Sequence, residues 1–282
     1  MKEIIIETLL DAIKLLPFLF VTFLIMEYIE HKFSKKSKEK LSKTRRFGPL
    51  LGSILGAFPQ CGFSVMATNL YATRIITVGT LISIYLSTSD EMLPILISKG
   101  VDFSEVFSFL LIKIIIGMIS GFIIDFVLRN KNVNKDYEIK DFCLEHHCDC
   151  KHSIFKSSLK HTFSILFFII VVTFLLNVGM ELLGENTISK LFFKDNFLSS
   201  FISSLIGLIP NCASSVILTE LYLNNVISFA SCISGLLTGS GVALLILFKV
   251  NKNQKDNIKI ILILYLIGAL SGSLIEIVNM LF

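Results

Sequence analysis

The sequence predicts an all-α integral membrane protein made of two related halves, and three observations carry that prediction. The 282 residues are 53% hydrophobic, include 25 phenylalanines and are only 17% charged, where a soluble domain carries about 25% charged residues. The mean hydropathy is +0.75. The chain also matches itself along most of its length in one ungapped register, at an offset of 151 residues. Finally, proline, glycine and polar residues interrupt the apolar runs at corresponding places in both halves.

The opening "MKEIIIETLLDAIKLLPFLF" has acids before its apolar run and no small-residue cleavage site, so it is expected to lead into a retained first span rather than a removable signal. That span is Leu15 to Ile29, with its copy at Ile165 to Leu183, and "VTFLIMEYIE" lies over "VTFLLNVGME". Next comes "GAFPQCGFSVMATNLY" (Gly56 to Tyr71) over "GLIPNCASSVILTELY" (Gly207 to Tyr222). Two further spans follow in each copy: Ile75 to Ile97 with Phe107 to Leu128, and Val226 to Phe248 with Ile258 to Met280. The expected organisation is a first membrane repeat over 1–128, a polar linker over 129–154, and a second membrane repeat over 155–282, with about ten helices in all.

The proline-bearing segment decides the topology. Read as one kinked helix it crosses the bilayer, giving four crossings per copy and parallel repeats. Read as a re-entrant hairpin, its first limb rises about 20 Å at ~1.5 Å per residue and stops near the middle of a ~30 Å core. That leaves three full spans per copy and makes the repeats inverted. The hairpin reading puts twenty lysines and arginines on one side and four on the other, the more lopsided split and the one the positive-inside rule favours. It places the linker in the cytoplasm of a bacterial cell, in the inner membrane.

Irregular backbone at membrane depth is tolerated where it lines a cavity, so matched breaks point to a binding site. One pair of breaks is Pro59-Gln60-Cys61-Gly62 with Pro210-Asn211-Cys212-Ala213. The other is "LSTSDEMLP" (Leu86 to Pro94) with "LTGSGVALL" (Leu237 to Leu245). The candidate binding residues are therefore Gln60, Cys61, Ser87, Thr88, Ser89, Asp90, Glu91, Asn211, Cys212 and Ser240. Asp90 and Glu91 are the sharpest, because ionisable groups near mid-membrane are costly, and the second copy has Gly241 and Val242 in their place. The competing reading is a tilted helix that ends early and leaves both acids at water. Cys61 and Cys212 are either ligands or small apolar filler, as Cys232 is expected to be. Thiolates suit soft ions, whereas carboxylates, amides and hydroxyls suit hard ones such as Mn²⁺.

Glu220, Glu27, Glu30 and Glu181 are weaker candidates near the interfaces. Asp125 and Glu276 correspond to each other near helix ends and read as anchors. Stripes of small residues, Gly48-Gly52-Gly56 with Ser199-Ser203-Gly207 and Gly117-Gly121 with Gly268-Gly272, read as close helix packing. In the linker, "CLEHHCDCKH" brings Cys143, His146, His147, Cys148, Cys150 and His152 into ten residues. Its composition suits metal capture, although the spacing fits no standard zinc module.

Through "RRFGPLLGSILGAFPQCGFSVMATNLYATRIITVGTLISIYLSTSDEMLP", "EYIEHK" and "PNCASS", the chain resembles the bacterial ten-span heavy-metal exporters, a family also described as arsenic efflux proteins and, for some members, manganese transporters. That resemblance implies export of a toxic metal or metalloid, of the arsenical or Mn²⁺ class. No nucleotide-binding motif is present, so a secondary-active permease coupled to a gradient, with H⁺ as the expected coupling ion, fits better than a pump. The alternative is a membrane metal sensor or a thiol-based membrane enzyme using the linker cysteines. No catalytic residues, no resident cofactor and no nucleic-acid partner are expected beyond the lipid bilayer and the transported ion, and a homo-oligomer is left open.

Overall fold

The computed structural model describes residues 47–58, 61–89, 92–131 and 197–281, together with isolated helical positions between 13 and 24 and between 155 and 178. Every regular element among them is helical. In the first half these are α1 (Gly48–Gly56), α2 (Cys61–Ala72), α3 (Val78–Ser87), α4 (Met92–Ser98) and α5 (Phe103–Lys131). In the second they are α6 (Phe197–Gly207), α7 (Cys212–Leu223), α8 (Phe229–Thr238), α9 (Ala243–Val250) and α10 (Gln254–Leu281). Helices α7, α8, α9 and α10 start 151 residues after α2, α3, α4 and α5. Limb α1 is shorter than the sequence suggested: it ends at Gly56, and Ala57 and Phe58 already turn.

The local chemistry of the helix ends repeats as well. Thr77 caps α3 by accepting from the Thr80 amide at 3.1 Å, and Ser228 caps α8 by accepting from the Ser231 amide at 3.1 Å. After α2 and α7 the chain turns through left-handed residues, Arg74 at φ 62° and Asn225 at φ 55°. There the Ile75 amide donates to the Leu70 carbonyl and the Val226 amide to the Leu221 carbonyl, both at 2.9 Å. This pairing terminates a helix by satisfying carbonyls that have no intrahelical partner.

Packing builds two three-helix layers, α1 with α3 and α5, and α6 with α8 and α10. The small-residue stripes lie in these seams: a Cβ on Gly121 would sit 2.7 Å from the Gly79 carbonyl oxygen, and one on Gly117 2.9 Å from that of Ser83. Backbones this close allow hydroxyls to bridge helices. Ser83 donates to the Pro49 carbonyl, joining α3 to α1, and Ser234 donates to the Ser200 carbonyl, joining α8 to α6, both at 2.6 Å. Such bonds and close contacts hold helices together where lipid offers no hydrophobic drive between them.

The layers interlock at the centre. Helix α3 touches α8, α2 lies on α9, and α7 lies on α4. Among the described residues, three stretches are long and apolar enough to cross a membrane: Phe103–Leu128, Phe229–Val250 and Gln254–Leu281. The middle one is largely buried in protein, while α10 exposes Ile258, Leu262, Leu266, Leu270 and Leu274, one residue per turn. A stripe of that kind suits contact with acyl chains.

Candidate transport site

Helices α3 and α8 both stop deep inside the protein. Thr88 leaves the helical region at φ −56° and ψ 130°, and Gly239 does so at φ −71° and ψ 91°. Gly241 is left-handed at φ 55°, a conformation that L side chains avoid. Serine and threonine hydroxyls absorb part of the exposed helix end. Ser87 donates to the Ser83 carbonyl at 2.9 Å, Thr88 to the Ile84 carbonyl at 2.8 Å, and Ser89 to the Ser87 carbonyl at 3.1 Å. Across the centre Thr238 donates to the Ser204 carbonyl at 2.8 Å. All of these side chains are buried, so their hydroxyls are satisfied by backbone carbonyls at the helix ends.

Between the two ends sits Lys113, 1% exposed, on the long helix α5. Its ammonium donates to the Leu236 carbonyl in the last turn of α8 at 2.9 Å, and also to the carbonyl of Thr88 just beyond α3. A single side chain thereby ties both breaks together. Residue 113 lies ten positions along α5 from Phe103, about 15 Å at ~1.5 Å per residue, a distance equal to half of a ~30 Å hydrocarbon core.

The hairpin limbs α2 and α7 begin at Cys61 and Cys212. Asn211 caps α7, its Oδ1 accepting from the Ala213 amide at 3.4 Å, and Asn211 and Cys212 are both buried. Among the described residues five buried side-chain oxygens have no hydrogen-bond partner: Oγ of Ser199, Ser200 and Ser203 on α6, Oγ of Ser240 in the α8–α9 break, and Oδ1 of Asn69 on α2, whose amide nitrogen donates to the Val65 carbonyl. A buried acceptor left unpaired costs about 1–3 kcal/mol, so the Ser240 oxygen in a break and the Asn69 oxygen on a hairpin limb are suited to meet a ligand or water. Among the described residues no group of three or more His, Cys, Asp and Glu side chains stands ready to hold a metal ion. Gln60, Asp90, Glu91, the Cys61 side chain, Glu27, Glu30 and Glu181, and the linker residues Cys143, His146, His147, Cys148, Cys150 and His152 lie outside the described residues.

The model of a family described as "Putative, 10TM heavy-metal exporter" matches the chain over residues 1–185 and 150–281. The chain belongs to this family. It is therefore a multi-pass membrane protein of an exporter class. No match was found among curated proteins or among solved structures.

In this family member the remaining candidates sort by what they touch. Asp125 accepts from the Thr77 hydroxyl at 2.6 Å and the Gly79 amide at 2.9 Å, and Glu276 accepts from the Ser228 hydroxyl at 2.7 Å. Both acids thus anchor the N-terminal end of a broken helix to the long helix behind it. Glu220 pairs with Lys99 at 3.2 Å in a half-exposed position. Cys232 is buried and its thiol points at the Leu218 carbonyl, 3.7 Å away, between α8 and α7. Reasoning from sequence missed three participants: Lys113, Asn69, and the Thr68 hydroxyl bonded at 2.6 Å to that of Tyr85. For Lys113 a signal existed, a lone cation in the middle of an apolar span.

Proposed function

We propose that the chain is a secondary-active exporter that carries a heavy-metal or metalloid ion, of the arsenical or Mn²⁺ class, through a site at mid-membrane between two inverted repeats. The observation that carries this reading is the convergence of two broken helices, α3–α4 and α8–α9, on one buried charged residue. Discontinuous helices in paired repeats are a recurring way to place polar backbone at a transport site.

Support for inversion comes from which ends meet. Arg74, after α2, approaches Asp256 at the start of α10 at 3.9 Å, and Lys99, after α4, pairs with Glu220 near the end of α7. Helices α2 and α9 therefore run outward to one face, and α7 and α4 to the other. Because α3 starts where α2 finishes and α8 where α7 finishes, the two broken helices enter from opposite faces. Hairpins α1–α2 and α6–α7 then reach the centre without crossing, and the basic linker falls on the cytoplasmic side of the inner membrane. In this reading the Ser87 to Glu91 segment, Ser240, Asn211 and Gln60 supply oxygen ligands, Cys61 and Cys212 supply thiols, and Asp90 or Glu91 either ligates the cation or takes up the coupling proton from solution.

The test is growth and metal content of a strain lacking its own exporters, on arsenite and on Mn²⁺, expressing wild type, Asp90→Asn, Glu91→Gln, Cys61→Ser or Ser240→Ala. Loss of one ligand worth ~1.4 kcal/mol lowers transport affinity about tenfold, so at least one carboxylate variant should lose protection. Arsenite protection that depends on the cysteines assigns the cargo to the thiols, and Mn²⁺ protection that depends on the acids assigns it to the oxygens. Full protection by all four variants would sink the site assignment.

A further inference from the structure

We propose that the ends of α3 and α8 form a cation-binding cage, and that the chain keeps it filled with its own Lys113 ammonium. The carbonyl of Leu236, in the last turn of α8, and that of Thr88, which caps the end of α3, meet at one nitrogen. Each helix end carries a partial negative charge of about half an electron, concentrated on carbonyls without an intrahelical partner. Carbonyl oxygens arranged around a point are how a protein replaces the hydration shell of a small cation.

The cation in this cage is tethered. An ammonium at this depth costs several kcal/mol unless its surroundings compensate it, and two helix ends converging on it provide that compensation. The arrangement is one-sided: the residue that matches Lys113 in the 151-residue register is Leu264 on α10, fully buried and apolar. The carbonyls that match those of Thr88 and Leu236 belong to Gly239 and Tyr85. Filling the cage from α5 pins α3 to α8 and keeps dissolved Na⁺ and K⁺ out of the crossover, where they would otherwise find the same oxygens. The cage depends on the helix ends and on Lys113, not on which ion is exported.

The experiment uses the full-length protein in detergent and reads the melting temperature as methylammonium is raised at constant ionic strength, with tetramethylammonium as the oversized control. Wild type should be indifferent to both. Lys113→Ala should melt lower and recover saturably with methylammonium alone, whereas Lys113→Met, which fills the space without a charge, should melt lower and not recover. Lys113→Ala that is folded and unresponsive, or Lys113→Met that melts with wild type, would overturn the proposal. If Lys113→Ala gives no folded protein in plain buffer, its extraction and purification in methylammonium decides. Monodisperse protein in methylammonium but not in tetramethylammonium means that the cage accepts a free ammonium, and equal aggregation in both refutes it. None of these readings needs a transported ion, so a failed cage and a failed cargo assignment are separable.

Discussion

The two halves share a scaffold and differ in chemistry at its centre. Where the first half has Thr88, Ser89, Asp90, Glu91 and Lys113, the second has Gly239, Ser240, Gly241, Val242 and Leu264. Yet around those positions the matched bonds recur: Ser83 to Pro49 with Ser234 to Ser200, Thr77 to Asp125 with Ser228 to Glu276. These bonds lie along the seams between helices, where close packing in lipid depends on small residues. The carbonyls of Thr88 and Leu236 meet at the Lys113 ammonium, so one side chain of the first half serves both breaks.

The largest effect should come from breaking what the halves share. Gly121→Leu drives a side chain into the Gly79 carbonyl at 2.7 Å and Pro49 at 2.8 Å, and Gly272→Leu into the Ala230 carbonyl at 3.0 Å. Relief requires backbone movement, so each should cost at least about 3 kcal/mol, the upper part of the overpacking range. Monodisperse yield after detergent extraction measures it. Gly239→Ala is the control, since its Cβ would find nothing nearer than 3.6 Å, and it should change stability by less than ~0.5 kcal/mol.

An intermediate effect separates the anchors. Asp125→Ala removes two charge-assisted bonds, to Thr77 and Gly79, and Glu276→Ala removes the one to Ser228. With ~1.5–3 kcal/mol for a hydrogen bond to a charged group, reduced by relaxation and water entry, Asp125→Ala should cost about 2–3 kcal/mol and Glu276→Ala about 1–2. Denaturant melts in the same detergent check the order, and a reversed order would show that the α8 end leans more heavily on its acid than the α3 end does.

The smallest effect lies at the two faces. Arg74 with Asp256 and Lys99 with Glu220 are partly exposed pairs at 3.9 and 3.2 Å, so Arg74→Ala and Lys99→Ala should each lose under ~1 kcal/mol. Arg74 also covers the Tyr71 ring at 5.3 Å and should lose a few tenths more, as cation–π contacts at exposed sites are worth ~0.5–1 kcal/mol. Melting curves at low and high salt separate the two, because screening removes the ion pair first.

By itself the sequence determined the membrane class, the 151-residue register and two of the regions where helices break, Leu86 to Pro94 and Leu237 to Leu245. These are carried by composition and by proline, glycine and hydroxyl residues acting on their own neighbours, and the breaks around Thr88 and Gly239 could be read that way, whereas the caps Thr77 and Ser228 came from the structure. The packing role of the glycine stripes was legible for the same reason, since a repeat of four is a statement about one helix face. Only the tertiary structure decided which side chains meet. Leu236 lies 123 residues from Lys113, and nothing local to either announces the other. Asn69 and Ser240 became notable through a partner they lack, which a string of residues cannot display. The reason is geometric: local signals act over one helical turn, whereas the crossover is set by how two layers of closely packed helices bring distant ends to a single point.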